Sequence, residues 1–177
     1  LERWSERLGK ANIRPSKGKP IIWVHAVSVG EVNASIPLLR NLMEEYEDSE
    51  FLVTTSTPTG SDILLKKLGN KIKHQYLPID IPFCINRFIN TWRPKALILL
   101  ETEIWPNIIH CCKKQGIVTA LVNARLSEQS KLRYLRFMAL IQPAINSLDL
   151  ILAQYESDAN RLNEIVPEKE IKLCGNL

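Results

Sequence analysis

Three carboxylates and one guanidinium in this sequence are placed where they could do chemistry: Glu31, Glu101, Glu103 and Arg125. Glu31 closes the run His25-Ala26-Val27-Ser28-Val29-Gly30-Glu31, in which an apolar stretch gives way to a turn and then to a helical pattern. A carboxylate in the first turn of a helix meets unpaired N–H groups and the positive end of the helix dipole, both of which favour its negative form. With Gly30 letting a ligand approach the backbone, Glu31 is placed to take a proton from an attacking hydroxyl. The same position equally suits an acid that only starts the helix. Ser28 reads two ways as well, as a donor to an anion at the helix N-terminus or as a plain N-cap. Ser-Val-Gly-Glu is not Gly-x-Gly-x-x-Gly, so a dinucleotide site is unsupported.

Glu101-Thr102-Glu103 follows the most apolar stretch of the chain. If the three stay extended, alternation turns both carboxylates to one face, where they could share a ligand or clamp a hard cation. Ile104-Trp105-Pro106 begins a helix at once, so one of the two acids could be helix-start chemistry. Ser56, Thr57, Thr59 and Ser61 offer four hydroxyls beside Gly60, suited to sugar or phosphate oxygens, although Thr57 or Thr59 could simply cap a helix. Arg125, in Asn123-Ala124-Arg125-Leu126-Ser127, could bind a phosphate or carboxylate through two N–H groups, or form an internal ion pair. His25 lies within a strand and reads as a hydrogen-bonded buried residue. Cys84, Cys111, Cys112 and Cys174 show no Cys-x-x-Cys spacing, and His25, His74 and His110 are scattered, so reduced thiols and no metal are expected.

Apolar runs alternating with helical periodicity must position these groups. Strands are expected over 21–27, 51–56, 73–77, 96–100, 118–123, 150–153 and 171–174. Helices are expected over about 59–68, 82–91, 104–115 and 156–165, with one after Glu31 and a long one over 127–146. Strands covered on both faces read as unbroken apolar runs, so the fold class is α/β: a Rossmann-like parallel sheet with helices on both faces. Ligands of such sheets bind beyond the carboxyl ends of the strands, and here those loops are rich in hydroxyls and carboxylates, as a polyhydroxylated or phosphorylated ligand requires.

The 177 residues are 45% hydrophobic and 24% charged, enough for one continuous core. The net charge of +4 is concentrated in residues 1–20, where Arg3, Arg7, Lys10, Arg14, Lys17 and Lys19 face two acids; the 17 bases and 17 acids beyond cancel. This stretch reads as a solvated basic lead-in or as a contact for anionic headgroups or phosphates at a membrane surface. No run approaches the roughly 18 apolar residues that span a bilayer, so the chain as it stands is expected to be soluble. No nucleic-acid partner is expected.

Taken in order, the loops resemble the N-terminal domain of the bacterial 3-deoxy-D-manno-octulosonic acid (Kdo) transferases. The resemblance rests on Trp23 to Glu31, Thr54 to Ser61, Leu77 to Pro82, Glu101 to Asn107, Asn123 to Ser127 and Gly175-Asn176-Leu177, and runs through nearly the whole chain. It implies a GT-B glycosyltransferase of lipopolysaccharide synthesis, in which this half binds the lipid A precursor and a second Rossmann-like domain, absent here, binds CMP-Kdo. Transfer would invert the anomeric centre without a metal on the nucleotide. CMP-Kdo would be a co-substrate, and no cofactor is implied. By this resemblance Glu31 is the general base and Glu101 its assistant, with Ser28, Gly30, Ser56, Thr57, Thr59, Glu103 and Arg125 lining the substrate site. The family's apolar anchor, missing here, would precede the lead-in, so the domain would be 21–177 and the parent protein would work on the cytoplasmic face of the inner membrane. The fragment alone is expected to be inactive.

Overall fold

The structure, a computed structural model, describes residues 3–16 and 18–176. Lys17 of the lead-in and Leu177, which closes the last family motif, lie outside the described residues. Seven parallel strands, β1 (Ile21–His25), β2 (Glu50–Thr55), β3 (Lys73–Tyr76), β4 (Ala96–Leu100), β5 (Val118–Ala124), β6 (Leu150–Ala153) and β7 (Lys172–Leu173), form one sheet in the order β3-β2-β1-β4-β5-β6-β7. The order reverses between β1 and β4, the switch point at which α/β sheets open a crevice for ligands.

Alternation along the strands builds two cores. Trp23, Leu97, Leu99, Leu121 and Ile151 face one side, under α4 (Pro82–Trp92), α5 (Pro106–Lys114), α7 (Met138–Ser147) and α8 (Glu156–Ile165). Val24, Val53, Leu100 and Val122 face the other, under α2 (Val29–Glu45) and α3 (Pro58–Leu68). Because both faces are covered, the strands read as runs rather than as alternating patterns. Trp23 is fully enclosed against Phe88, with ring centroids 4.6 Å apart, and its indole N–H is satisfied by Thr54 Oγ1 at 2.8 Å. A buried indole donor left unpaired would cost more than the ring's contacts return.

One expectation about the frame needs correction. The long helix over 127–146 is two helices, α6 (Glu128–Arg136) and α7, separated at Phe137, whose backbone (φ −113°, ψ 31°) leaves the helical region. No glycine or proline marks residues 136–138, and the apolar positions keep their phase through the break, so the pattern hides it. The basic lead-in packs in part against the sheet. Residues 4–7 form a short helix, α1 (Trp4–Arg7), docked on the end of β3. The buried Glu6 accepts from the Tyr76 N–H at 2.8 Å, from Asn12 at 2.7 Å and from Arg3 at 2.7 Å. The guanidinium groups of Arg3 and Arg7 lie 4.5 and 4.8 Å from the Tyr76 ring centroid. These two cations are therefore spent inside the fold, while Lys10, Arg14 and Lys19 stay exposed.

Candidate active site

The β1–α2 turn sets Glu31 in place. Ser28 is the N-cap of α2 in extended conformation, and Glu31 stands at N3 of a capping box. Glu31 Oε2 accepts from the Val27 N–H at 2.9 Å, and Oε1 accepts from the Ser28 N–H at 3.3 Å and the Ser28 hydroxyl at 2.9 Å. The Ser28 hydroxyl in turn accepts from the Glu31 N–H at 3.3 Å, so it is committed within the turn rather than offered to an anion. A carboxylate has about four lone-pair positions. Three are occupied here, and the fourth, on Oε2, has no donor among the described residues. The side chain is 6% exposed, and its three donors hold it in one orientation. Gly30 is exposed on the same turn, and a Cβ added there would meet only Ser28 Oγ, at an ordinary 3.7 Å.

Across the switch point the Glu101–Glu103 segment is a turn, not the extended stretch that alternation requires. Glu101 adopts φ +56°, and the Glu103 N–H donates to Leu100 O at 3.3 Å. The two acids are thus placed by the turn instead of by strand period. Glu103 accepts the Trp105 indole N–H at 2.7 Å, and the Tyr134 hydroxyl, reaching from α6, donates to Thr102 O at 2.8 Å. Neither acid caps α5. That duty falls to Asp80, from the loop after β3, whose carboxylate accepts from the Ile108 N–H at 2.9 Å and the Asn107 N–H at 3.3 Å. Arg125 stands 3.9 Å from Glu101 with its side chain more than half exposed, an open ion pair that leaves most of its donors free.

Burial raises the Glu101 carboxyl above its ordinary range, the charge of Glu31 raises it further, and Arg125 opposes both. Glu103 is pushed up to about 7, by burial first and then by Glu31, against the pull of the Trp105 N–H. Glu31, Glu101 and Glu103 therefore share one electrostatic field at the carboxyl edge of β1 and β4. Among the described residues, no three His, Cys, Asp or Glu side chains converge in the manner of a metal site.

Of the hydroxyl loop, Thr57 is the N-cap of α3, accepting from the Gly60 N–H at 3.1 Å. A Cβ at Gly60 would come within 2.9 Å of that Thr57 Oγ1, which makes the glycine part of the cap. Thr59 is exposed on the first turn, and Ser56 offers its carbonyl to Arg7 Nη2 at 2.6 Å. Arg7 also lowers the His25 imidazole electrostatically, behind the dominant effect of burial, to about 4. It is a cation of this edge that the sequence pattern assigned to the lead-in. His25 Nδ1 lies 3.0 Å from Thr54 O and 2.9 Å from Thr54 Oγ1, and the imidazole ring stands at 70° to the Trp105 ring, with centroids 6.1 Å apart. A cavity of about 650 Å³ lined in part by Pro15, Lys19, Trp92 and Arg93 opens at the opposite, amino end of β1, away from these carboxylates.

A sequence profile of the family described as 3-Deoxy-D-manno-octulosonic-acid transferase (kdotransferase) matches residues 2–177. The chain belongs to this family. It is 39% identical over 180 residues to the 3-deoxy-D-manno-octulosonic acid transferase of Haemophilus influenzae, across 99% of this chain and 42% of that protein. It is also 39% identical over 137 residues to a probable mitochondrial 3-deoxy-D-manno-octulosonic acid transferase of Arabidopsis thaliana, across 76% of this chain and 30% of that one. The chain thus spans well under half the length of these relatives.

Among solved structures, a UDP-N-acetylglucosamine 2-epimerase aligns with a TM-score of 0.65 at 16% identity, over 91% of this chain and 47% of that one. The Neisseria meningitidis UDP-GlcNAc 2-epimerase bound to UDP-GlcNAc aligns at 0.62 and 16%, over 89% and 46%. Likeness at that identity is one of fold, and it places the sheet among the Rossmann-like halves of GT-B-like enzymes. In this member of the Kdo-transferase family the raised carboxyl of Glu103 predicts a pH-dependent contribution to stability. Its protonated form is favoured by the fold, so the stabilisation is complete below the ordinary glutamate value of 4.5 and is lost as pH rises towards about 7. Taken alone and discounted for partial exposure, Glu103 lowers stability by about 1–3 kcal/mol between pH 4.5 and 7.5, while burial, which lowers His25 and His74 to about 4, makes both raise it as pH climbs towards the ordinary histidine value of 6.5. In urea unfolding Glu103→Gln should therefore gain about 1–3 kcal/mol on wild type over that range, and a difference between the two proteins that does not change with pH would show that Glu103 is not the titrating group.

Proposed function

We propose that this chain is the acceptor-binding half of an inverting Kdo transferase that moves Kdo from CMP-Kdo to the lipid A precursor in lipopolysaccharide synthesis. The observation that supports this most is the family match over residues 2–177, joined to a pinned carboxylate with one open lone pair at the switch point of the sheet. In this reading Glu31 Oε2 takes the proton of a primary hydroxyl on the acceptor sugar. The acceptor oxygen forms its bond to the anomeric carbon of Kdo as the bond from that carbon to the CMP oxygen breaks, and one displacement inverts the centre. Glu101 assists beside the acceptor. Arg125, with Gly30 and Thr59 exposed on neighbouring turns, supplies the surroundings of a polar ligand, and Ser28, Ser56, Thr57 and Glu103 hold the walls.

CMP-Kdo would be held by the part of the protein beyond this chain, and no resident cofactor enters the scheme. The parent protein would work at the cytoplasmic face of the inner membrane. In support, α6 and α7 expose Leu132, Leu135, Phe137 and Leu140 next to Arg133 and Arg136, apolar and cationic groups suited to an anionic lipid surface. Among the described residues no helix is long and apolar enough to cross a membrane.

Titration of the isotopically labelled chain, followed by backbone NMR, tests the division of labour. A detergent-solubilised lipid A precursor should shift amides around Ser28, Glu31, Glu101 and Arg125, and CMP-Kdo should leave them in place. Shifts from the nucleotide sugar but none from the acceptor would overturn the reading.

A further inference from the structure

Three buried side-chain atoms among the described residues lack a hydrogen-bond partner: His25 Nε2, Asn123 Oδ1 and Gln154 Oε1. All three lie at the carboxyl ends of strands, beside the candidate site. His25 has its other ring nitrogen bonded and its ring against Trp105, and Gln154 has its amide nitrogen engaged with Asn176. Asn123 differs in its backbone. It adopts φ +55°, it is 2% exposed, and the pairing of β5 with β6 slips between Leu121 and Ala124, around it. Bulges of this kind gather beside active sites, where they re-aim a side chain.

Its neighbour across the sheet is Glu101. Leu100 pairs with Val122, and the Glu101 N–H donates to Val122 O at 3.1 Å, so Glu101 and Asn123 occupy the next positions of adjacent strands. Both are non-glycine residues in the left-handed region, where L side chains are disfavoured. Two such residues side by side, one a proposed catalytic assistant and the other with an unmade hydrogen bond, mark strain held at one place. Asparagine tolerates this backbone better than most residues, which explains the residue type but not the unpaired oxygen. A buried carbonyl oxygen without a donor is costly in the free protein and is recovered when a ligand brings one. The last torsion of asparagine is soft and roughly twofold, so the carboxamide can turn its oxygen outward.

We propose that Asn123 is an acceptor-recognition residue, its side-chain oxygen accepting a hydrogen bond from a hydroxyl or acylamino N–H of the sugar that Glu31 deprotonates. The inference rests on the acceptor reading given above. Glycine at this position keeps the left-handed backbone and removes the side chain with its amide, and the melting temperature reads the packing part of that loss separately from ligand contact.

The test uses the full-length protein that contains this chain, with Asn123→Gly compared to wild type. In steady-state kinetics the KM for the acceptor should rise about 3–10-fold, the size of one lost neutral hydrogen bond. The KM for CMP-Kdo should stay the same, and the melting temperature should hold within roughly 4 °C. An unchanged acceptor KM would overturn the inference and leave Asn123 as a residue chosen for its backbone. A parallel rise in both KM values with a falling melting temperature would overturn it too, as a structural effect. Wild-type protein that transfers nothing from CMP-Kdo would instead remove the acceptor reading, before any variant is compared.

Discussion

Full-length protein carrying Glu31→Gln is expected to transfer Kdo about 10²–10⁴-fold more slowly than wild type, roughly 3–5 kcal/mol of barrier. Glutamine is the right replacement because Glu31 has one structural role and, in the proposed reading, one chemical role. As the N3 member of a capping box it receives the Ser28 N–H, and glutamine serves at that position as well as glutamate does. As a base it needs a carboxylate oxygen with an open lone pair, which an amide does not offer as a proton acceptor at neutral pH. The variant keeps the Ser28 N–H bond of the capping box and loses the chemistry, but its amide nitrogen now faces the Val27 N–H that Oε2 received at 2.9 Å. Its melting temperature should therefore fall by roughly 2–10 °C, the size of about 1–3 kcal/mol, while the protein stays folded at assay temperature. The loss should fall on kcat, because the missing interaction belongs to the transition state rather than to acceptor binding. Near-wild-type turnover in a folded Glu31→Gln protein would end the general-base assignment.

The second large effect concerns Gly9, just after α1. It adopts φ +77°, and a Cβ there would lie 2.1 Å from the Cys84 carbonyl oxygen and 3.3 Å from the Phe88 backbone N, both in α4. A left-handed L residue costs about 1–2 kcal/mol, and a collision with backbone cannot be relieved by a change of rotamer. Gly9→Ala should destabilise by about 2–4 kcal/mol, lowering the melting temperature by roughly 5–15 °C. Gly18→Ala is the control: φ is +82° there, but nothing lies within 4 Å of the added atom, so only the conformational part of the loss remains. Equal losses at the two positions would show that the contact between the first segment and α4 contributes nothing.

What the sequence revealed of this fold follows from how its strands are buried. Ile21 to Val24 and Leu97 to Leu100 are apolar on successive residues because helices cover both faces, and such runs need no partner to be recognised. The turn after β1 is legible for a similar reason, since the Ser28 and Glu31 cap is closed within four residues. Contacts that close over long separations left no local trace. The α5 N-terminus is capped from 27 and 28 residues away by Asp80, the Leu126 N–H is received by Asp158 from 32 residues away, and Arg7 reaches Ser56 across 49.

Alternation would set Glu101 and Glu103 on one face only in an extended segment, and this segment is a turn. A non-glycine residue at positive φ carries no signature in its own side chain. Trp105 holds the acid turn from two residues away, whereas Tyr134 reaches the Thr102 carbonyl from α6 across 32 residues, a contact with no local trace. The resemblance to a known family singles out Glu31 as the candidate base. The physical neighbourhood of that acid had to come from the structure.

The first segment has a mechanical consequence. From α1, where Arg7 grips Ser56 and the Ile79 N–H donates to the Arg7 carbonyl at 2.8 Å, the chain descends past α4 at Gly9 to Ser16, which bonds Glu50 at the opposite end of the sheet. It is a strap fastened at top and bottom. A force applied ahead of Arg3 would enter the molecule at the rim that holds Glu31 and spread along the whole strap to the far side, so a tether attached there would set the tilt of the reacting edge as a rigid body and would leave the loops around Glu31 unstretched.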